Sequence, residues 1–217
     1  MSVQVLEPLR VSAGQAPIFQ AGQTGPVWRV VHGVVRLDRH AGPLRLPVQL
    51  ALPGDLIGVE ALCDQPYQFH ADAVTPCELV PVDLGAGDAG QRREALLREV
   101  LLQQQQRCHD MATLRTGSVL QRLIHLLCLL GLPWPGAQST TGDQADAIRQ
   151  ALPALREVAE LVDAKTETVC RALAQLLPPR SRKSGPARKT ARATPVRAQR
   201  PAGAWSSHGL ALGAALS

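Results

Sequence analysis

The chain has 217 residues, of which 45% are hydrophobic, 19% charged and 3% aromatic, and its formal net charge is +5 at pH 7. That length and apolar content support one large domain or two small ones with a real core. The longest apolar stretch, around residues 123–132, has about half of the roughly 20 residues that cross a bilayer, which argues against a transmembrane chain.

The positive charge is concentrated at the C-terminal end. Residues 178–217 contain eight Arg and Lys and no Asp or Glu, whereas residues 1–177 contain 15 basic and 18 acidic residues. The net charge therefore does not by itself predict a nucleic-acid partner, because it comes from the tail.

The N-terminus and the cysteines predict a cytoplasmic protein. The first ten residues show no apolar region of the kind found in a signal peptide. The five cysteines, at positions 63, 77, 108, 128 and 170, include no C-x-x-C pair. An odd number of widely spaced cysteines favours reduced thiols over a disulfide framework or a zinc site.

Residues 13–84 have the pattern of an all-β domain. Turn residues recur every 8–12 positions, and β-branched stretches such as 27–31 and 34–37 lie between them. This spacing predicts a sandwich, roll or barrel of short strands.

A long helix is predicted over residues 91–115, which contain no Pro or Gly. A stripe with alternating spacings of four and three runs along it: Leu97, Leu101, Gln104, Cys108, Met111 and Arg115. The stripe either packs on its own domain or pairs with a second copy of the chain, and the second interpretation is favoured because a helix about 37 Å long would overhang a small β domain.

The C-terminal half is predicted to form further helices. Residues 117–118 break the long helix, 119–130 resume a helical pattern, and the polar segment 137–146 is expected to be a loop. Two short helical patterns, 153–162 and 166–177, follow with only three residues between them, which makes a helix-turn-helix candidate.

The polar side of the second helix could read DNA. It presents Thr166, Glu167, Cys170 and Arg171 near the helix N-terminus, and Glu167 and Arg171 share one surface because they are four residues apart. Arg can bridge guanine O6 and N7, and Glu can accept from cytosine N4. The alternative is an ordinary amphipathic helix with a surface salt bridge.

Two unlinked segments of the chain resemble CRP/FNR-type bacterial transcription regulators. Residues 156–161 and 166–173 are similar to the helix-turn-helix of that family, and Leu-Pro-Gly-Asp-Leu-Ile-Gly at 52–58 resembles a turn in its cyclic-nucleotide-binding-like β-roll. Residues 18–22 and 30–37 match the opening strands of the roll, and 109–111 and 120–123 fall where the family has its dimerisation helix. The resemblance covers about 18–177 in the correct order.

The resemblance implies an α+β protein with three parts: a sensor β-roll of the double-stranded β-helix or jelly-roll kind (1–87), a dimerisation helix (88–116) and a helix-turn-helix domain (117–177). Residues 178–217 lie beyond the resemblance and form a basic Pro/Ala/Arg-rich tail that is expected to be disordered. It also implies a homodimer that binds double-stranded promoter DNA at a palindromic site, with RNA polymerase as a further partner. Thr166, Glu167, Cys170 and Arg171 would contact the bases. Leu97, Leu101, Gln104, Cys108 and Met111 would form the dimer interface.

By the same resemblance, the effector pocket would include Gly58, Val59, Glu60, Ala61 and Leu62. Cyclic-nucleotide-binding relatives have a Glu directly after the glycine and an Arg-Ser or Arg-Thr pair further on. Here Val59 follows Gly58, and no Arg or Lys lies between positions 63 and 76. A buried phosphate needs a cation or several donors, so cyclic AMP is not expected, and the chain looks closer to the FNR-like branch.

No cofactor is predicted. Iron–sulfur relatives take a ligand near Cys77 and three more from an N-terminal cluster, but this chain has no Cys before position 63. Cys77 is therefore interpreted as a small buried residue. A haem would need a ligand such as His32, His40, His70 or His109, and a lone His is more often on the surface or in the core.

The sequence departs from the family around the second helix of the helix-turn-helix. Asp163 replaces the usual turn Gly, Lys165 replaces a Ser or Thr cap, and no wing-like strand follows Pro178-Pro179. The tail could be a basic arm that contacts phosphates, or an off-frame translation of a GC-rich gene, which translation of the adjacent frame would test.

The sequence thus predicts a transcription regulator and no enzyme, because no catalytic set, phosphate loop or metal spacing is visible. The alternative function is a ligand-binding β-roll whose DNA-binding half has decayed. Whether such a regulator is an activator or a repressor, and which signal it senses, is not encoded in a recognisable motif.

Overall fold

The computed structural model describes residues 7–42, 44–83, 89–132, 134, 136 and 139–179. Seven strands come first: β1 (Leu9–Val11), β2 (Trp28–His32), β3 (Val35–Ala41), β4 (Leu44–Ala51), β5 (Leu56–Ile57), β6 (His70–Ala73) and β7 (Cys77–Pro81). Five helices follow: α1 (Ala89–Arg115), α2 (Val119–Leu129), α3 (Gly142–Ala151), α4 (Leu155–Leu161) and α5 (Thr166–Leu176). A short 3₁₀ helix, Val59–Cys63, lies between β5 and β6.

The strands form two antiparallel sheets with a common core. One sheet has the order β1-β7-β2-β5 and the other the order β4-β3-β6. Their facing side chains form a single apolar cluster, which includes Phe19, Val30, Leu37, Ala71 and Leu79. The strands predicted between the turn residues are therefore present, and β1 lies just before the predicted stretch.

Gly58, at the end of the 52–58 turn, occupies a position where only glycine fits without strain. Gly58 has a φ of 65°, and a Cβ at this position would come within 2.5 Å of the Tyr67 ring. The Tyr67 hydroxyl in turn donates a 2.6 Å hydrogen bond to the carbonyl of Pro26. A side chain at position 58 would therefore push on a buried, hydrogen-bonded ring.

Helix α1 is fastened to the β domain along one face. Gln103, which is buried, accepts from the Leu56 amide and donates to the Leu56 carbonyl, both at 2.8 Å. Arg107 donates to Asp55 at 2.7 Å. Arg29 of β2 makes a two-pronged contact with Glu99 at 2.6 and 3.1 Å, and that hydrogen bond lowers the pKa of Glu99. These contacts fix the helix on the sheet edge that carries β5.

The loop predicted over residues 137–146 is wrong for its second half, which belongs to helix α3. Residues 142–146 belong to a helix, because Thr141 and Gln144 form a capping box and Ala145 and Ile148 bury one face. The loop interpretation followed the polar composition of the segment and overlooked the Thr-x-x-Gln signature that starts a helix.

A second apolar core joins the helices to the β domain. It contains Val34, Leu50 and Val74 from the sheet region together with buried side chains of α2, α4 and α5. The helix pair α4 and α5 is therefore packed on the β domain through a continuous core. No helix within the described ranges is long and apolar enough to cross a membrane. The tail from 180 onward, with any wing or arm, lies outside the described residues.

Candidate nucleic-acid interface and ligand cavity

Helix α5 has one buried face and one exposed face. Val169, Ala172 and Leu176 are buried against the other helices. The four predicted base-reading residues, Thr166, Glu167, Cys170 and Arg171, are all exposed and lie together on the N-terminal half of the helix. The structure thus brings the predicted set onto one accessible surface.

The charges on that surface are free of one another. Arg171 donates a long 3.4 Å hydrogen bond to the backbone carbonyl of Glu167, and no ion pair joins the two side chains in the described structure. The surface salt bridge of the amphipathic-helix alternative is therefore not formed. The Glu167 carboxylate and the two terminal nitrogens of the Arg171 guanidinium are left without a partner in the described structure.

The turn before α5 shows the two departures noted in the sequence. Asp163 has a φ of 48°, a left-handed conformation that favours glycine. Lys165 is the N-cap residue of α5 with extended backbone angles and no side-chain cap hydrogen bond. The turn keeps its shape because Arg122 of α2 donates to the carbonyls of Val162 and Asp163 at 3.0 and 3.2 Å.

Sequence reasoning missed the residues that hold the other end of α5. The Trp134 indole donates to the Leu176 carbonyl at 3.2 Å, and Arg149 donates to the carbonyls of Leu177 and Pro178. An aromatic residue between two prolines and an Arg on an unpredicted helix give no local pattern that points to such caps.

An ion cluster links the β domain to α4. Arg36 of β3 is only 3% exposed and donates to Asp38, which is fully buried, at 2.9 Å. The same guanidinium contacts Glu160 of α4 at 3.1 Å and Glu157 at 3.7 Å. Arg45 completes the cluster with Asp38 at 2.7 Å and with Asp72. Nothing in the sequence pairs positions 36 and 160, which are 124 residues apart.

Burial dominates the electrostatics of Glu157. The pKa of Glu157 is raised because burial disfavours its charged form, and the attraction of Arg36 offsets this only in part. The raised pKa and the 3.7 Å contact with Arg36 point in opposite directions. The contact is long for an ion pair that must replace lost hydration, so the burial effect prevails.

A small cavity lies in the β domain, with Gln104 of α1 in its wall. Its volume is about 210 Å³, and apolar side chains such as Phe19, Leu37, Ile57 and Phe69 form most of its wall. The polar side chains in the wall are Gln49, Glu60 and Gln104, and none of the described lining residues is Lys or Arg. Within the described structure, the buried Nε2 of Gln49 has no hydrogen-bond partner.

Three of the five predicted effector residues line this cavity, and the other two do not. Gly58, Val59 and Glu60 line it, and Glu60 accepts from the Gln68 amide at 3.1 Å. Leu62 instead belongs to an apolar core under α1, and Ala61 packs against that core. The 3₁₀ helix turns the last two residues away from the cavity. Gln49 was missed because nothing in its strand marks it as a wall residue.

The residues considered as cofactor ligands are dispersed. Cys77 is buried, its Sγ lies 3.3 Å from the Val34 carbonyl oxygen and 3.0 Å from that of Thr75, and burial raises the pKa of its thiol to about 11. The rings of His40 and His70 contact each other at 3.8 Å, and burial lowers the pKa of His70. His32 contacts the Pro76 carbonyl and His109 is exposed on α1. No three His, Cys, Asp or Glu side chains form a cluster able to hold a metal ion in the part of the chain that the structure describes.

The predicted dimer stripe is offset by one residue from the face that packs on the β domain. The packed face of α1 contains Leu96, Gln103, Asp110 and Leu114. Leu97 and Leu101, by contrast, are 41% and 61% exposed, Leu102 is 68% exposed, and Cys108 is exposed. Gln104 is half-buried at the cavity, and Met111 is buried in the second core. These two residues of the stripe therefore pack within their own chain.

Comparisons with known proteins bear on the fold. No protein-family model matches the sequence, and no significantly similar curated protein was found. Among solved structures, a CRP-family transcriptional regulator from Thermus thermophilus matches with a TM-score of 0.57 at 23% identity, over 77% of this chain and 83% of that one. The chain has the CRP/FNR fold.

Two further solved structures agree. A CRP/FNR-family regulator from the same Thermus species matches with a TM-score of 0.52 at 24% identity, over 78% of this chain and 85% of that one. The c-di-GMP-responsive global regulator CLP of Xanthomonas campestris has a TM-score of 0.52 at 17% identity, over 79% and 86% of the two chains. The α+β, CRP-like fold predicted from the sequence is therefore confirmed in its overall form, while the jelly-roll form of the β domain and the missing wing stay predictions.

Proposed function

We propose that this protein is a sequence-specific, DNA-binding transcription regulator that acts as a homodimer. The observation that carries the proposal is the exposed surface of α5, on which Glu167 and Arg171 form no ion pair in the described structure while the opposite face is buried in the core. Charged side chains free of partners near the N-terminus of such a helix are suited to contact base edges. The CRP/FNR fold, whose solved examples are described as transcriptional regulators, supports the same function.

Selection of duplexes from a randomised pool tests this proposal. We expect enrichment of a two-fold-symmetric sequence with half-sites about one helical turn, roughly 10 base pairs, apart. Failure to enrich any sequence would contradict it and would support the second candidate, a ligand-binding β-roll with an inactive DNA-binding half. Asp163 and Lys165 are the observations that favour this second candidate, since neither suits its place in the turn.

The proposed dimer uses the exposed part of the α1 stripe. Leu97, Leu101 and Cys108 are exposed along one face of α1, and a contiguous exposed apolar face is a mark of interaction surfaces. Light scattering at micromolar concentration should give the mass of two chains for the unaltered protein and of one chain for Leu101→Arg. Val31→Arg, at an exposed position of β2, should remain a dimer. A monomeric unaltered protein would contradict the proposal.

We propose that the cavity of the β domain is the effector site and that its ligand is small and uncharged. At about 210 Å³ it is smaller than the roughly 300–1,000 Å³ of common ligand pockets, and among the described residues its only charged wall group is the carboxylate of Glu60. An anion placed there would meet a like charge and no cation. Val59 follows Gly58 where cyclic-nucleotide-binding relatives have a Glu, which agrees with an uncharged ligand. On this basis we propose that the chain is closer to the FNR-like branch.

The ligand proposal has a direct test. Cyclic AMP at millimolar concentration should leave the melting temperature unchanged, and mass spectrometry of the purified protein should detect a neutral small molecule if one is retained. A saturable stabilisation of the protein by cyclic AMP would contradict the proposal. Gln104 belongs both to the cavity wall and to the predicted stripe, so an occupied cavity could act on the dimer through α1.

A further inference from the structure

A wide cleft separates the β3–β4 hairpin from the helix-turn-helix. Its volume is about 1150 Å³, and it extends from Leu44 and Leu46 of β4 to Thr166, the first residue of α5. The cleft therefore ends where the proposed base-reading surface begins.

The cleft carries more positive charge than the rest of the described protein. Five basic residues line it, namely Arg39, Arg45, Arg115, Arg156 and Lys165, against the two acidic residues Glu160 and Asp163. Residues 1–177 together carry an excess of acidic residues. Within an acidic body, the cleft is thus a concave surface with a local excess of basic residues.

Three of the five cations are available to a partner. Arg45 is bound to Asp38 and Asp72, and Arg156 to Glu160. Arg39 and Lys165 are exposed and form no ion pair within the described residues, where Arg115 donates only to the Pro47 carbonyl. A surface that holds unpaired cations at three separate points fits an extended polyanion better than a single small anion.

The helix-turn-helix geometry determines where DNA would run. In such motifs the second helix enters the major groove by its N-terminal end and the first helix crosses the sugar–phosphate backbone. In this chain that first helix is α4, which lines the cleft with Arg156, and the turn lines it with Lys165. A duplex read by α5 would therefore pass its backbone along the cleft toward Arg115 and Arg39.

We propose that this cleft binds the phosphate backbone of DNA that flanks the half-site, so that the β domain as well as the helix-turn-helix contacts DNA. This inference rests on the proposed function, because it takes the position of the duplex from α5. It assigns to Arg39 and Arg115 phosphate contacts that add affinity without base specificity.

Two duplexes of different length test the inference with the full chain. One ends at the outer edges of the two half-sites selected from the randomised pool, and the other extends by about one helical turn, roughly 10 base pairs, at each end. Affinity is measured by fluorescence anisotropy over a salt series. The unaltered protein should bind the long duplex more tightly than the short one and with a steeper salt dependence.

The double variant Arg39→Ala/Arg115→Ala should remove the advantage of the long duplex. On the long duplex, losing two phosphate contacts should make the slope of log affinity against log salt shallower by about 1.8. Between 50 and 200 mM salt, the double variant should therefore lose roughly tenfold less affinity than the unaltered protein loses. Binding to the short duplex, and its preference over a scrambled one, should not change. Arg10→Ala removes an exposed arginine of β1 outside the cleft and should bind both duplexes like the unaltered protein.

Two results would overturn the inference: equal binding of the long duplex by the double variant and the unaltered protein, or equal weakening on both duplexes. Random-sequence duplexes separate this inference from the proposed function. If selection yields no preferred sequence, the proposed function fails, and the cleft inference then stands only if the double variant has a shallower salt dependence than the unaltered protein on random-sequence DNA. Preferential binding of an acidic peptide to the cleft, with no length effect on DNA, would identify a protein partner and also overturn the inference.

Discussion

Helices α4 and α5, which form the proposed helix-turn-helix, use their charges differently. The carboxylates of α4, Glu157 and Glu160, face the buried Arg36 of the β domain, whereas Glu167 and Arg171 of α5 have no ionic partner in the described structure. Helix α4 is therefore an anchor to the β domain, and α5 is left free to meet a ligand. The contrast separates substitutions that should alter stability from those that should alter DNA binding.

The largest expected effect is on the anchor. Arg36→Met leaves buried Asp38 with only Arg45 among the described residues and removes the buried cation that faces Glu157 and Glu160, so we expect a loss of about 3 kcal/mol in the free energy of unfolding. Urea denaturation measures it. Arg156→Met is the matched control, because Arg156 contacts the same Glu160 but its side chain is 89% exposed, and it should cost less than about 0.5 kcal/mol. Equal losses in the two variants would show that burial of Arg36 is unimportant.

The N-cap of α5 should show a conflict between stability and DNA affinity. A serine at 165 could accept from the free N–H groups of the first turn, so Lys165→Ser should raise stability by about 1 kcal/mol. It should also weaken DNA binding, because a cleft cation is lost. Lys165→Ala removes the same charge without supplying a cap and should weaken DNA binding equally with no gain in stability. Thermal unfolding and anisotropy together check this pair, and unchanged DNA affinity in both variants would show that Lys165 makes no phosphate contact.

The left-handed residue of the turn should respond to a smaller degree. Asp163→Gly relieves an unfavourable φ and should stabilise the fold by about 0.5 kcal/mol, since Asp tolerates that region better than most residues. Asp163→Asn keeps the strain and removes the charge. Both variants should bind DNA more tightly than the unaltered protein at low salt, whereas only the glycine variant should melt at a higher temperature.

Glu157 gives the smallest effect on the anchor and sets its pH dependence. Because its pKa is raised in the folded state, the folded protein holds this proton more tightly than the unfolded chain. The stabilisation is complete below the unfolded pKa and is lost as pH rises through the folded pKa. Glu157→Gln should therefore raise the melting temperature at pH 7 by a small amount, less than about 3 °C. In acid the two proteins should melt at the same temperature. A lower melting temperature at pH 7 would show that the Arg36 attraction prevails over burial.

Much of this architecture follows from local sequence pattern. The helix predicted over 91–115 is found as Ala89–Arg115, and the two short helices are found within two residues of their predicted bounds. Periodicity suffices there because each helix buries one stripe of its own side chains. The base-reading candidates were accessible to the same reasoning, since they are the polar remainder of α5.

The rest depends on contacts between distant parts of the chain. Arg36 and Glu160 have no shared pattern, and the Gln49 amide, unsatisfied within the described structure, becomes visible only when two sheets close around it. The α1 stripe shows a subtler limit. Apolar residues at 96 and 97 are equally compatible with a seven-residue repeat, and only the folded β domain decides that Leu96 turns inward and Leu97 outward. The boundaries between the proposed domains stay predictions.

The most direct test measures how well Arg171→Ala discriminates between two duplexes. One is the duplex selected by the unaltered protein, and the other differs from it at a single base pair of the half-site. If Arg171 reads a base, the variant should lose about 1–3 kcal/mol of discrimination at that base pair. Its free energy of unfolding should stay within about 0.5 kcal/mol, because the side chain is exposed and makes no ion pair in the described structure. Arg10→Ala should discriminate as the unaltered protein does. Full discrimination by Arg171→Ala at every position of the half-site would contradict the assignment of α5 as the DNA-reading helix.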